Sequence, residues 1–283
     1  MKGKSKIQLA LWALLFMVAI PISAYGVDGQ IKIAQTAETT FPITINEPGS
    51  YVLTSNLIVT TANVNAINID ANHVTLDLNG HDIYAVSIGT RTGIYAYNRY
   101  NITIKNGIVR GFRYNGIYLD NDADHRGAGH RIEGIQAFNN GYGICIYAGY
   151  SIVTNCTANK NGYDGILTYF STVTNCTANN NGNSGIIAPS STVTNCTAND
   201  NGYKGIYVVD GTVTNCTANN NDSNGIYACT SIVKGCNVRY NTGYGINMGS
   251  GAHNYIYRNA ASGNTAGQIL CPSGNTCVDN ATF

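Results

Sequence analysis

The segment YLDNDADHRGAGHRIEG, Tyr118 to Gly134, carries the residue types best suited to chemistry. Asp120, Asp122 and Asp124 alternate, and carboxylate oxygens so placed suit a hard cation such as Ca²⁺. The segment is not an EF-hand loop. Counting from Asp120, His125 stands sixth, where Gly is required, and Arg131 stands twelfth, where Glu is required. His125 and His130 have the side chain whose ordinary pKa suits a general base. Arg126 and Arg131 would neutralise an anionic group. Nine charged residues fall between Lys105 and Glu133: Lys105, Arg110, Arg113, Asp120, Asp122, Asp124, Arg126, Arg131 and Glu133. The competing reading is a solvated loop whose charges pair with one another.

Two further groups invite a functional reading. Asp77 and His81 lie close together in LDLNGHD, where a turn closing two strands accounts for them equally well. Tyr95, Tyr118, Tyr207 and Tyr227 each follow the Ile of a Gly-Ile-Tyr step. If that Ile points inward, strand alternation turns all four rings outward on one face. Outward tyrosines offer flat apolar faces with polar tips, which stack on sugars. A surface ladder that only stabilises its neighbours would look the same.

The elements that must hold these residues are set by a repeat. A strict period of 20 runs from Ser151 to Ser250, with rows such as STVTNCTANNNGNSGIIAPS. A fixed period of this length marks a solenoid. Asn, Thr, Gly and β-branched residues crowd each row, which excludes helices. A leucine framework is missing, so short parallel strands joined by tight turns remain. Val153, Val173, Val193, Val213 and Val233 form one inward column, and Cys156, Cys176, Cys196, Cys216 and Cys236 another. Ala158, Ala178, Ala198 and Ala218, followed by Val238, form a third. Ile166, Ile186, Ile206, Ile226 and Ile246 form the last. Val153 and Cys156 are three apart, so one residue is spent in a bend. Asn155 and its equivalents, with Gly235 in the last row, tolerate the left-handed backbone of such a corner. That role also accounts for the four Asn-Cys-Thr triplets, which match a glycosylation signal. Asn161, Asn181, Asn201, Asn221 and Asn241 form a second Asn column suited to a buried amide ladder.

The pattern loosens upstream, with Gly-Ile steps at Gly93, Gly116 and Gly143. The expected fold is all-β: a single right-handed parallel β-helix of roughly nine to ten coils. At the strand spacing the rod is about 45 Å long. Residues 25–60 read as an N-terminal segment and cap with a Pro48-Gly49 turn, 61–270 as the β-helix, and 271–283 as a C-terminal cap. The Cys column reads as buried free thiols, since Cys there behaves as a small hydrophobe. Cys271 and Cys277 enclose PSGNT and are either free or joined in a short disulfide loop.

Residues 1–24 read as a bacterial-type secretory signal. Lys2, Lys4 and Lys6 precede an apolar run from Ile7 to Ile20, and Pro21-Ile22-Ser23-Ala24 offers a small-residue cleavage site. Its removal takes three lysines and shifts the formal charge of the chain from +1 to −2. No basic surplus is left to attract nucleic acid or an anionic membrane. Only 11% of residues are charged, yet 44% are apolar, which excludes a disordered chain. The protein is expected to be secreted or periplasmic.

NITIKNGIVRGF, VTLDLNGHDI and the repeated TNCTANNNG..GI resemble right-handed parallel β-helix proteins of the pectate-lyase-like superfamily, over roughly residues 43 to 270. The resemblance implies an elongated groove along one side of the helix, and activities such as lyase or epimerase action on acidic (uronate) polysaccharides. Lyases of this kind use Ca²⁺ held by carboxylates and an Arg, Lys or His base. Carried onto this chain, Asp120, Asp122 and Asp124 would hold Ca²⁺, Arg126 and Arg131 would neutralise the substrate carboxylate, and His125 or His130 would abstract the adjacent proton. The polygalacturonase Gly-His-Gly and Arg-Ile-Lys motifs are absent. The alternative is a non-catalytic module that binds glycans or a cell surface through its Tyr, Asn and Thr face.

Overall fold

The computed structural model describes residues 29–87, 89–121, 128–249 and 253–282. The leader-like residues 1–24 therefore lie outside the described residues. Among the described residues all regular structure is strand, and every strand pairing is parallel. The turns of the chain stack into a three-sided rod; most contribute short strands to its faces, and in the regular repeat the second face is reduced to isolated bridges at Thr177, Thr197 and Thr217. The first face runs from Ile31–Ile33 to Thr276–Val278. The second includes Leu57–Val59, Asp82–Ala85, Thr157–Asn159 and Ala260–Ser262. The third is an 11-stranded sheet from Ile43–Ile45 to Gly267–Leu270, so the helix makes about eleven turns. That exceeds nine to ten because Ile43–Ile45, Gly49–Leu53 and Leu57–Val59 lie within the segment read as a cap, yet are paired into the same sheets.

The inward columns are those expected. The Val, Cys, Ala and Ile residues of the repeat are all buried, and like stacks on like through the register Val153–Val173–Val193–Val213–Val233. The five repeat cysteines are free thiols, whereas Cys271 and Cys277 form a disulfide. Asn155, Asn175, Asn195, Asn215 and Gly235 all have positive φ, as a corner requires. Two more left-handed corners complete each rung, one through Lys160, Asn180, Asp200, Asn220 and Tyr240, the other through Tyr150, Phe170, Ser190, Asp210 and Thr230. Their mixed residue types hid them from the sequence pattern. A rung fixed on three sides holds such residues left-handed where a free chain would not.

The Asn column is a continuous buried amide ladder. Asn161 Nδ2 donates to Asn181 Oδ1 at 3.0 Å, and the same geometry repeats through Asn201, Asn221 and Asn241. Each Oδ1 also accepts the backbone N–H of the preceding Asn, and each Nδ2 also reaches a carbonyl of the Ala column. Asn140 and Asn264 extend the ladder, and Gln268 Oε1 closes it at 2.9 Å. The Gly before each inward Ile makes room for it. A Cβ on Gly165 would lie 2.7 Å from Asn181 Nδ2 and 2.8 Å from the Gly185 carbonyl. The Gly and Asn columns therefore depend on each other.

Candidate functional site

Strands Thr92–Tyr97, Asn115–Asp120 and Tyr142–Ile146 lie side by side on the third face. Their inward residues Ile94, Ile117 and Ile144 are fully buried, which fixes the alternate residues as outward. Tyr95 and Tyr118 are directly paired, and their rings stack with centroids 5.6 Å apart at 5°. The next residue in that column is the buried Cys145, followed by Leu167 and Ile187. Tyr207 and Tyr227 then resume the column and stack at 5.3 Å. All four expected tyrosines thus share one outward column, but as two separate pairs.

Tyr147 and Tyr169 fill the gap from the adjacent outward position. Tyr147 lies 5.9 Å from Tyr118, and Tyr169 stacks on Tyr147 at 5.7 Å. A sequence signal for them exists: Tyr stands three residues after the inward Ile in GICIY and GILTY. Both lie two residues beyond the position that the Gly-Ile-Tyr step marks, and so fall outside that pattern.

Around the first pair the face is hollowed. One hollow of about 490 Å³ is lined by Tyr118, Tyr142, Tyr147, Tyr163, Arg113 and Asp120 among others. A second of about 410 Å³ is lined by Tyr95, Tyr97, Arg91 and Asn65 among others. Tyr114, Asn115 and Tyr118 are common to both, so the two form one groove. Arg91 and Arg113 are exposed and form no ion pair among the described residues. Lys105, Arg110 and Arg131 differ: each is spent on a carboxylate, of Asp77, Asp82 and Glu133 respectively.

Burial raises the Tyr118 hydroxyl pKa well above its ordinary value, and a hydrogen bond from it to Asp120 Oδ2 at 2.8 Å raises it further. Burial likewise raises Tyr95 and Tyr147. At neutral pH these hydroxyls stay protonated, so the groove offers neutral donors and ring faces rather than phenolate bases.

Of the expected catalytic and metal-binding residues, only Asp120, His130 and Arg131 are described, and these three do not share one site. Asp122, Asp124, His125 and Arg126 lie outside the described residues. Asp120 ends strand Asn115–Asp120 at the groove. Arg131 lies on a strand of the first face and binds Glu133 Oε2 at 2.9 Å through Nε. His130 is only 1% exposed and faces the interior of the wall. Its Nδ1 accepts the Ile102 backbone N–H at 3.2 Å, which places the proton of the neutral ring on Nε2, where no partner meets it among the described residues. Burial lowers its pKa to about 4. The reason is positional: His130 occupies the rung position of the buried Ser151, Ser171, Ser191 and Ser231. Asp77 and His81 serve the turn, since Asp77 accepts the Asn79 backbone N–H at 2.8 Å and His81 Nδ1 lies 3.3 Å from Asn56 Oδ1.

Among the described residues, no group of three or more His, Cys, Asp or Glu side chains is arranged to hold a metal ion.

A family model described as the right-handed β-helix region matches residues 58–212, more than half of the chain. No curated protein sequence matches it. Solved structures share the fold at low identity. The A-module of the Azotobacter vinelandii mannuronan C-5 epimerase AlgE4 superposes with a TM-score of 0.62 at 14% identity, covering 88% of this chain and 89% of that one. The Dettilon tailspike protein gp208 gives 0.64 at 15% identity, covering 89% of this chain and 61% of the tailspike. The T265N mutant of the periplasmic alginate epimerase AlgG gives 0.54 at 12% identity, with 83% and 77% covered. At such identities the likeness shows the fold.

Proposed function

The chain belongs to the right-handed β-helix family, and from that premise we propose that it takes an acidic polysaccharide along the tyrosine groove of its third face. The observation that carries this is the groove of Tyr95, Tyr118 and Tyr147, flanked by Arg91 and Arg113, which have no carboxylate partner among the described residues. Ring faces stack on the sugar backbone, Asn115 and the neutral hydroxyls supply hydrogen bonds, and the two guanidinium groups meet uronate carboxylates. Solved structures of the same fold include proteins named as a mannuronan C-5 epimerase and an alginate epimerase. The leader-like residues 1–24 support export to the periplasm or beyond, where such polymers occur.

Chemistry on the bound chain, as a lyase or an epimerase, is a second reading. Asp120 favours it: this carboxylate accepts the Tyr118 hydroxyl at the groove and directly precedes the segment carrying His125 and Arg126. Ca²⁺ enters this reading through Asp120, Asp122 and Asp124. The test is incubation of the protein with alginate, pectate and other polyuronates, with Ca²⁺ or with chelator. Absorbance reports unsaturated lyase product, proton NMR reports epimerised residues, and calorimetry reports binding. Binding without product leaves the module reading alone, and product lost under chelation supports the Ca²⁺ assignment. Absence of both binding and product with every uronate would overturn the proposal.

A further inference from the structure

Four rungs beyond Tyr118 in the same outward column, a second cluster carries a cation. Lys204 Nζ lies 4.1 Å from the ring centroid of Tyr203, 5.1 Å from Tyr207 and 5.0 Å from Tyr227. Lys204 is the one Lys or Arg between Lys160 and Lys234. It makes no ion pair among the described residues. Three electron-rich faces hold the ammonium in place and leave its charge without a counter-ion. Tyr203 is itself 45% exposed, so the cluster opens to solvent.

We infer that Lys204 with Tyr203, Tyr207 and Tyr227 is a second uronate-binding point, and that the protein grips a long anionic chain at two places. The inference rests on the reading of the first groove as a polyuronate site. The separation follows from the register Tyr118–Cys145–Leu167–Ile187–Tyr207, which at the strand spacing is about 19 Å. The column between holds no charge. Cys145 and Leu167 are buried, Ile187 is half-buried, and Tyr147 and Tyr169 run beside them. A polymer lying along the helix axis meets Arg91 and Arg113 at one end, ring faces in the middle and Lys204 at the other. Once the first point is occupied, binding at the second is intramolecular and adds affinity only for chains long enough to reach it.

The experiment is calorimetry of the protein and of Lys204→Gln with uronate oligosaccharides graded from disaccharide to dodecasaccharide. A neutral oligosaccharide series serves as control, and thermal unfolding confirms that the variant is folded. For the unaltered protein, affinity should climb steeply once the oligosaccharide spans both clusters. Lys204→Gln should weaken the long uronates about ten-fold or more while leaving the short ones unchanged. Equal affinity of both proteins for the long uronates would overturn the two-point inference and leave the first groove standing. No uronate binding by the unaltered protein would overturn both.

Discussion

Between Ser151 and Gly249 each rung nearly copies the one before it, with inward Val, Cys, Asn and Ile stacked on their own kind and the Ala column ending in Val238. Between Asn65 and Tyr147 the rungs keep the same register but differ in length and surface. The inner face imposes the same rule on both regions: fill the rod and satisfy the amides. The outer face is free of that rule, and where rung length varies, unlike side chains become neighbours. Arg91, Tyr95, Arg113, Tyr118, Asp120 and Tyr147 come together there. Within the regular region the outer column still changes, from Leu167 through Ile187 to Tyr207, while the inner column stays Ile. Repetition fixes the scaffold, and departures from it write the site.

The sharpest way to break the regular region is through its amide ladder. Asn201→Leu keeps the side chain's approximate size but leaves the Asn181 backbone N–H and the Ala178 carbonyl without the ladder partners they now have. Each orphaned group costs about 1–3 kcal/mol, so a loss of about 4 kcal/mol is expected, read as a lower denaturant midpoint. A midpoint unchanged from the parent would mean that the ladder is not what holds the rungs.

A smaller effect separates the wall of the irregular region from its groove. His130 has a pKa lowered to about 4 in the folded protein, against about 6.5 when unfolded. Between those values the unfolded chain binds more protons, so stability falls as pH drops from 6.5 and levels off near 4. The full loss approaches about 3 kcal/mol, measured by denaturant unfolding across that range. His130→Gln should flatten this pH dependence. A slope that survives the substitution would assign it to other groups.

The interior was legible in the sequence because a period of 20 by itself aligns the residues that stack. The corner at Asn155 could be read because Asn and Gly recur there. The corners at Lys160 and Phe170 could not, because their residue types vary and only the closure of each rung fixes them. The outward tyrosines were legible in the Gly-Ile-Tyr steps, whereas Tyr147 and Tyr169 needed the strand continued two residues further. His130 stood out by its chemistry alone. Its rung position, shared with Ser151, decides its burial, and the uneven spacing upstream of Ser151 concealed that equivalence. Lys204 was hidden because its significance comes from three rings on two rungs.

The role proposed for the irregular region is to bind an acidic polysaccharide through its tyrosine groove. Titration of the unaltered protein and of Tyr118→Ala with polyuronate tests it most directly, with thermal unfolding as the check on folding. The expected result is measurable binding by the unaltered protein and about ten-fold weaker binding by the variant, a loss of about 1.4 kcal/mol, with both proteins folded. Equal affinity in a folded Tyr118→Ala would contradict the claim.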